Sequence, residues 1–197
     1  IPVVLLDRDL EAYPGRSRYD LVGIDNRRAG YAITAHLLKR GCKRLAFLGR
    51  PNSAPTVDAR IAGFREALLD AGIEPLSALI WRIEPSDLSE VKKLIDKVRP
   101  DGVVCANDFT AAHLMKTLGE LGVSVPADIR LVGIDDVKYA SLLPVPLTTI
   151  HQPCFDIGAA AIFAMNQRLK NPNFPARDIL LDFKLVVRQS CGPANQA

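Results

Sequence analysis

Short apolar runs alternate with stretches of helical periodicity along most of this chain. Continuous apolar runs, such as Val3–Leu6, Leu45–Gly49 and Gly102–Cys105, predict strands that are covered on both faces. Between them, apolar residues recur every three or four positions, which predicts amphipathic helices. Glycines such as Gly41 and Gly72 follow these periodic stretches, where helices commonly end. Strands and helices in this order predict an α/β fold with doubly wound parallel sheets.

The alternation changes after Pro146. The pattern predicts a short strand over 148–150, a helix over about 155–169 and two β runs over 179–181 and 183–187. This order departs from the regular strand–helix repeat that precedes it. We therefore expect the chain to leave its main sheet near this proline and to return to it later.

Composition and charge exclude several classes of protein. The chain has 197 residues, of which 48% are apolar and 24% charged, an ordinary globular composition. Its net charge is +3 and no run of five like charges occurs, so nothing predicts a nucleic-acid-binding arm. If the protein controls DNA, we expect its DNA-contacting part outside these residues. No apolar stretch reaches about 18 residues, so no transmembrane helix is predicted. The chain opens at Ile1 without a methionine, and we expect an upstream portion to be missing.

The cysteines and histidines predict neither disulfides nor a metal site. The four cysteines are widely and irregularly spaced with no CxxC pair, and the three histidines follow no ligand spacing. Free thiols are typical of a reducing compartment, which favours the cytoplasm. We expect no metal and no cofactor.

Polar side chains follow the predicted strands at their carboxyl ends, where ligands bind in a doubly wound sheet. Asp7, Asn107 and Asp135 stand there, and Arg60 lies near the start of the helix after the third strand. Such groups make directional hydrogen bonds to hydroxyls, and arginine can hold a planar anion or a vicinal diol. Trp81 also ends a strand, where its ring could stack on a ligand or belong to the core or its rim.

Other polar residues at strand ends have a structural interpretation beside the functional one. Asp25 and Asn26 precede a predicted helix and suit helix capping, as does Asp108, which also suits a structural acceptor role. His36 and His113 lie on helix faces and are interpreted as structural.

An enzyme is weighed and not favoured. Asp135 and Asp136 resemble the acidic strand end of a phosphoryl-transfer site, but no partner lysine or hydroxyl is identifiable. The chain has no GxGxxG motif, no GxxxxGK[ST] loop and no GxSxG elbow. The sequence therefore favours a binding protein.

Taken together, the ordered segments of the chain resemble the LacI/GalR family of bacterial transcription regulators. The resemblance runs from Ile1 to about Ser190, and its specificity comes from the order and spacing of the segments. They include IPVVLLDR at 1–8, LAFLG at 45–49, CAND at 105–108, VPADI at 125–129, VGIDD at 132–136 and PLTTIHQP at 146–153.

The resemblance implies a periplasmic-binding-protein-like type I fold, in which two α/β lobes of doubly wound parallel sheet enclose an effector cleft. By this comparison, residues 1–42 end an incomplete N-terminal lobe and 43–149 form the C-terminal lobe. Residues 150–181 return to the N-terminal lobe, and 182–197 form a tail on the C-terminal lobe. The first part of the N-terminal lobe and the DNA-binding headpiece would lie outside this chain.

The resemblance also assigns effector contacts by position. Arg60, Asn107 and Asp135 occupy places that hydrogen-bond the effector in this family, often through sugar hydroxyls. Asp7 and Gln152 occupy further cleft positions. Cys154 stands where some sugar-binding members have an aromatic residue, so Trp81 is the candidate ring for stacking.

The implied function is that of a ligand-gated repressor, an effector-binding domain in a homodimer that acts on operator DNA through the headpiece. Leu142 and Leu143, apolar residues in a proline-rich loop, are candidates for the dimer interface, although they could equally pack beneath that loop. The alternative is a periplasmic sugar-binding protein of a transport system. A pentose, hexose or sugar acid is the leading class of effector, and a purine stays open.

Overall fold

The structure is a computed structural model that describes residues 1–75 and 79–192. Its strands are β1 (Val4–Leu6), β2 (Asp20–Ile24), β3 (Leu45–Gly49), β4 (Ile80–Arg82), β5 (Gly102–Cys105), β6 (Arg130–Asp135), β7 (Thr148–His151), β8 (Asp178–Leu181) and β9 (Lys184–Val186). Its helices are α1 (Asn26–Lys39), α2 (Pro55–Asp70), α3 (Leu88–Val98), α4 (Asp108–Glu120) and α5 (Cys154–Lys170). Short 3-10 turns cover Lys138–Ser141 and Gln189–Cys191.

The strands form two sheets of mostly parallel strands. The small sheet has the order β1-β2-β8, and the large sheet has the order β4-β3-β5-β6-β7-β9. Their pairs are parallel except β7 with β9. The predicted α/β fold with parallel sheets is confirmed.

Polar residues at strand ends begin several helices. The Asp25 side chain accepts the backbone N–H of Arg28 at the start of α1, and Asp87 accepts those of Ser89 and Glu90 at the start of α3. These bonds satisfy amide groups that the first helical turn leaves without partners. The capping interpretation of Asp25 is therefore confirmed.

The large sheet is buried on both faces. In β3, Phe47 faces the core that α1 and α2 cover, where its ring meets Phe64 edge-on at 5.7 Å. Its neighbour Leu48 faces the opposite core, which α3 and α4 cover with residues such as Val91 and Leu114. Side chains that alternate between two apolar layers explain why this strand reads as a continuous apolar run.

Helices α1 and α2 cross with their backbones almost in contact. A Cβ added at Gly30 would lie 2.1 Å from the Arg60 carbonyl oxygen, and one added at Gly63 would lie 1.9 Å from the Arg27 carbonyl oxygen. Glycine is required at both positions because any larger residue would overlap backbone atoms. This crossing fixes the start of α1, at the end of the small sheet, against the body of α2.

The chain passes from the small to the large sheet after β2. Helix α1 packs against α2 and against β5, β6 and β7 of the large sheet. The change of sheet therefore lies near Asp25, and the lobe boundary near Cys42 stays a prediction from the resemblance. Strand β7 stays paired with the large sheet as far as His151. Helix α5 then packs on the small sheet, β8 joins that sheet, and β9 returns to the large one.

All four cysteines lie in the described ranges and are free thiols. Three are buried, and Cys154 is exposed at the start of α5. Among residues 1–75 and 79–192, no helix combines the length and the hydropathy needed to cross a membrane.

Candidate functional site

A polar cleft of about 450 Å³ lies where the carboxyl ends of β1, β3, β5 and β6 meet. The cleft brings together four of the residues that the sequence predicted. Its lining comprises Asp7, Arg8, Arg50, Pro51, Asn52, Ser53, Ala54, Thr56, Val57, Arg60, Glu84, Ala106, Asn107, Thr110 and Asp135. Asp7 follows the small sheet and Asp135 ends a strand of the large sheet, so groups from both sheets face the same space.

Arg60 of α2 lies at the base of this cleft and is 3% exposed. Its Nε donates to Asn26 Oδ1 at 2.8 Å and its Nη1 to the Ala106 carbonyl at 2.6 Å, while Nη2 lies 3.6 Å from Asp135 Oδ1. Burial lowers the pKa of the guanidinium, and the carboxylates of Asp135 and Asp7 oppose that change. Arginine nevertheless stays charged in proteins, so Arg60 is a buried cation that neighbouring acceptors compensate.

Asp135 stands between Arg60 and Gln152. Gln152 Nε2 donates to the same Oδ1 atom at 2.7 Å. Burial raises the pKa of Asp135, with a further contribution from the Asp7 charge, whereas Arg60 and Gln152 oppose the rise. Gln152 lines a second cleft of about 760 Å³ that shares Asp7 and Asp135 with the first. The structure thus brings Gln152 into contact with Asp135, one of the predicted cleft residues, from the side of the second cleft.

Asn107 has a capping role as well as a place in the cleft. Its Oδ1 accepts the backbone N–H of Thr110 at 2.9 Å and the Thr110 hydroxyl at 2.8 Å, which starts α4. The amide nitrogen makes no hydrogen bond to any described residue. One side chain therefore fixes the helix and keeps a donor for a ligand.

Asp7 carries an unpaired acceptor. Its backbone has a φ of 66°, and its N–H donates to the Val22 carbonyl at 2.8 Å. Its Oδ1 is buried and accepts no hydrogen bond from the described part of the chain. An isolated buried carboxylate oxygen costs free energy unless a donor reaches it, so this atom points to a missing hydrogen-bond donor.

Trp81 does not join the other predicted residues. It pairs with Leu48 across β4 and β3, and its half-buried side chain packs against the core beneath α3 and α4. Lys97 of α3 places its Nζ 5.7 Å from the centre of the indole. Because side chains alternate along a strand, residue 81 faces this helix layer and not the cleft. The structure therefore does not bring Trp81 into the cleft lining, and the residue lies at the rim of the large-sheet core.

Asp108 is buried beside the cleft and holds the loop that follows β6. It is fully buried, and its carboxylate accepts the Thr149 hydroxyl at 2.6 Å and the Val137 N–H at 3.0 Å. Burial raises the pKa of Asp108 to about 6, and the nearby charges of Asp135 and Asp136 add to the rise. These contacts hold the loop after β6, so the interpretation of Asp108 as a structural acceptor is confirmed.

Sequence reasoning missed Arg50 and Glu84, which both line the cleft. Arg50 directly follows β3 and Glu84 stands two residues after β4, so the rule that located Asp7 and Asp135 would also have found them. Asp136 was noted only as part of an acidic pair. In the structure it contacts His151 at 2.9 Å and Arg188 at 2.7 Å, which makes it a structural ion-pair partner.

Among the described residues, no group of three or more histidine, cysteine or acidic side chains is arranged to hold a metal ion. The cleft lining offers hydrogen bonding by carboxylate, amide, guanidinium and hydroxyl groups.

Comparisons with known proteins identify the family. The family model for the periplasmic binding protein-like domain matches residues 34–191. The transcriptional repressor PurR of Photobacterium profundum is 30% identical over 199 residues, which cover 99% of this chain and 58% of that protein. The chain thus spans little more than half the length of this relative.

Solved structures agree with this result. A complex of the transcriptional regulator CelR with cellobiose superposes with a TM-score of 0.84 at 27% identity, covering 96% of this chain and 59% of that one. A LacI-family regulator from Enterococcus faecium with bound ribose gives 0.81 at 26% identity, with coverages of 98% and 71%. These relatives are transcription regulators and not enzymes. The chain belongs to the periplasmic binding protein-like domain family, in the form carried by LacI-family transcriptional regulators.

Proposed function

We propose that this chain is the effector-binding domain of a cytoplasmic repressor, which binds a sugar or a sugar derivative and acts on operator DNA through a headpiece outside these residues. The unpaired Asp7 carboxylate oxygen carries the proposal, because a ligand hydroxyl is the donor that this atom lacks. The regulator is favoured over a transport receptor by the relatives, which are described as transcription regulators.

The effector contacts that we propose are Asp7, Arg60, Asn107, Asp135 and Gln152. Free acceptors on the carboxylates and the free amide donor of Asn107 suit the hydroxyl groups of a sugar. Two of the structural relatives hold ribose or cellobiose, which supports the same class of ligand. Arg60 would orient Asp135, and it would also reach the effector with the guanidinium N–H groups that its three protein partners leave over.

The proposed mechanism is a change in the relative orientation of two lobes, one built on each sheet. The chain passes between the sheets after β2, after β7 and after β8. Asn26 and Gln152 follow the first two passages, and they are hydrogen-bonded to Arg60 and Asp135 respectively. An effector that contacts Asp7 and Asp135 together would favour the orientation in which both reach it, and it shifts the equilibrium only by this difference in affinity.

We also propose a homodimer. Leu142 is 80% exposed in the loop before β7, whereas Leu143 packs against the large-sheet core. Leu142 is therefore the better candidate for a partner contact. A dimer would present two headpieces to a two-fold operator, as such regulators require.

The variant Asp7→Asn in the full-length regulator tests the proposed site. We expect affinity for the effector to fall about tenfold or more, because the amide offers a ligand hydroxyl a weaker acceptor than the carboxylate. The melting temperature without ligand should not fall, since Asn tolerates a positive φ and no protein donor loses a partner. Calorimetric titration with ribose, cellobiose and a panel of pentoses and hexoses measures both proteins.

The matched control is Asp178→Asn, which alters an exposed carboxylate paired with Arg16 on the small sheet. Its affinity for the same sugars should equal that of the unmodified protein. An Asp7→Asn variant that binds as tightly as this control would contradict the proposed role of the cleft.

A further inference from the structure

The mouth of the cleft is closed on one side by an ion pair between Arg50 and Glu84. Arg50 follows β3 and Glu84 follows β4, and these strands are parallel neighbours at the edge of the large sheet. Arg50 Nε lies 3.1 Å from Glu84 Oε2 and 3.4 Å from Oε1, and Nη2 lies 3.4 Å from Oε1. Both guanidinium nitrogens on one edge of Arg50 are thus engaged by a single carboxylate.

The Phe109 ring also contacts the Arg50 guanidinium. The Arg50 Cζ atom lies 5.4 Å from the centre of the Phe109 ring, and the centres of the Phe109 and His113 rings are 4.4 Å apart. The Ser53 hydroxyl donates to the Arg50 carbonyl at 2.5 Å, which ties down the loop that carries it. A stacked and paired arginine loses little further conformational freedom when it meets a ligand.

The Arg50–Glu84 pair lies at the outer end of the cleft. The order of strands in the large sheet places the ends of β4, β3, β5 and β6 side by side, which aligns Glu84, Arg50, Asn107 and Asp135 along one edge. Two strand spacings separate β3 from β6, or about 10 Å. The part of an effector that reaches Arg50 is therefore distant from the part that Asp135 holds.

The charges around the cleft are balanced. Among its lining residues the cations are Arg8, Arg50 and Arg60, and the anions are Asp7, Glu84 and Asp135. Arg60 is compensated by Asp135, and Arg50 by Glu84. A phosphate or carboxylate at the outer end would either displace Glu84 from the Nε and Nη2 edge of Arg50 or bind the remaining guanidinium N–H groups, and in both cases it would face the Glu84 carboxylate at close range.

We infer that the Arg50–Glu84 pair determines specificity by accepting a neutral, hydroxyl-bearing outer end of the effector and excluding an anionic one. Both residues can still hydrogen-bond the hydroxyl groups of a ligand, because Arg50 has N–H donors that the pair does not use and Glu84 has unused acceptor capacity. This inference rests on the proposed effector-binding function and narrows it from sugars and sugar acids to uncharged sugars.

The test compares the full-length regulator with its Glu84→Gln variant, using inorganic phosphate and the pairs ribose with ribose 5-phosphate and glucose with glucose 6-phosphate as probes. Removal of the carboxylate frees the arginine fork, so affinity of the variant for phosphate should rise about tenfold or more, the effect of a charge-assisted hydrogen bond pair. The double variant Glu84→Gln with Arg50→Gln should lose this gain. Glu84 is 48% exposed in its side chain, so the variant is expected to fold.

The matched control is Glu66→Gln, which breaks the similar exposed pair between Arg27 and Glu66 away from the cleft. It frees the Arg27 fork outside the cleft, so its phosphate affinity measures the effect of a released surface arginine alone, and the gain in Glu84→Gln should clearly exceed it. Equal phosphate affinity in Glu84→Gln and in the unmodified protein would overturn the inference, as would a preference of the unmodified protein for either phosphorylated sugar over its neutral partner. The phosphate comparison needs no effector, so a failure of the proposed function would leave its result interpretable.

Discussion

At the scale of single residues, the cleft joins side chains that stand at the carboxyl ends of strands from both sheets with Arg60 of helix α2. Asp7, Asn107 and Asp135 meet as expected because the carboxyl ends of parallel strands share one edge of a sheet. Arg60, which is expected and proposed as a ligand contact, is also a buried bridge between Asn26, the Ala106 carbonyl and Asp135. Its partners at 26, 106 and 135 are distant in sequence, so no local pattern could have revealed them. Trp81 was misplaced because the face of a three-residue strand cannot be read from its own residues.

Arg60→Ala should cost stability as well as binding. The substitution leaves Asn26, the Ala106 carbonyl and the Asp135 carboxylate without their partner in a buried setting. We expect the free energy of unfolding to fall by about 3 kcal/mol or more, the usual effect of breaking one side of a buried pair. Denaturant titration of this variant beside Arg65→Ala, an exposed arginine of the same helix, measures the effect. The two variants should differ clearly, and equal stability would show that Arg60 does not bridge these groups.

Asp108 should make stability depend on pH in a defined direction. Its pKa of about 6 in the folded state exceeds the usual value of about 3.9 for an unfolded chain. Between about pH 4 and pH 6 the folded state keeps a proton that the unfolded state has lost, so this contribution to stability falls as the pH rises through that window. Above about pH 6 the contribution is lost and no longer changes with pH.

The variant Asp108→Asn removes this titration. Unfolding free energies measured at half-unit intervals should decline less between pH 4 and pH 6 for the variant than for the unmodified protein. Parallel curves for the two proteins would mean that Asp108 does not hold the raised pKa.

At the scale of elements, most strands and helices were predictable and their assignment to a sheet was not. Continuous apolar runs located β3 and β5, and glycines marked the helix ends, because burial on both faces and left-handed turns restrict the residue types directly. Helix α1 lies in the segment that the resemblance assigns to the N-terminal lobe, and it packs on the large sheet. The apolar face of a helix that lies where the chain passes between the two sheets could cover either sheet, so its own sequence pattern does not decide between them. The close approach at Gly30 and Gly63 decides the matter, and it appears only when α1 and α2 are placed together.

Gly63→Ala tests this helix crossing. A Cβ at position 63 would lie 1.9 Å from the Arg27 carbonyl oxygen, so the helices must separate to admit it. We expect a loss of about 1–3 kcal/mol in the free energy of unfolding, as for other overpacked sites. Gly158→Ala in α5 is the control, because a Cβ there meets nothing within 4 Å. The control should be neutral or up to about 1 kcal/mol more stable through its higher helix propensity. A Gly63→Ala protein as stable as the control would contradict the close crossing.

At the scale of the whole molecule, the two sheets and the repeated passages between them follow from family resemblance rather than from local pattern. The change in the alternation of strands and helices after Pro146 indicated that the chain leaves the main sheet, but not which sheet it joins next. The cleft has walls from both sheets, and residues beside the first two passages, Asn26 and Gln152, hydrogen-bond to groups of the cleft. In the proposed ligand-operated switch, effector binding and the relative position of the sheets would therefore share the same contacts.

The most direct test of the central claim is the affinity of the full-length regulator for the DNA upstream of its own gene, measured by fluorescence anisotropy at one fixed salt concentration with and without the sugar found by calorimetry. We expect specific binding that the sugar changes by about 5- to 150-fold, the usual range of coupling between two sites. We also expect Asp7→Asn to shift the response to higher sugar concentration. DNA affinity that no bound sugar alters would contradict the assignment of this domain as the effector-operated part of a repressor.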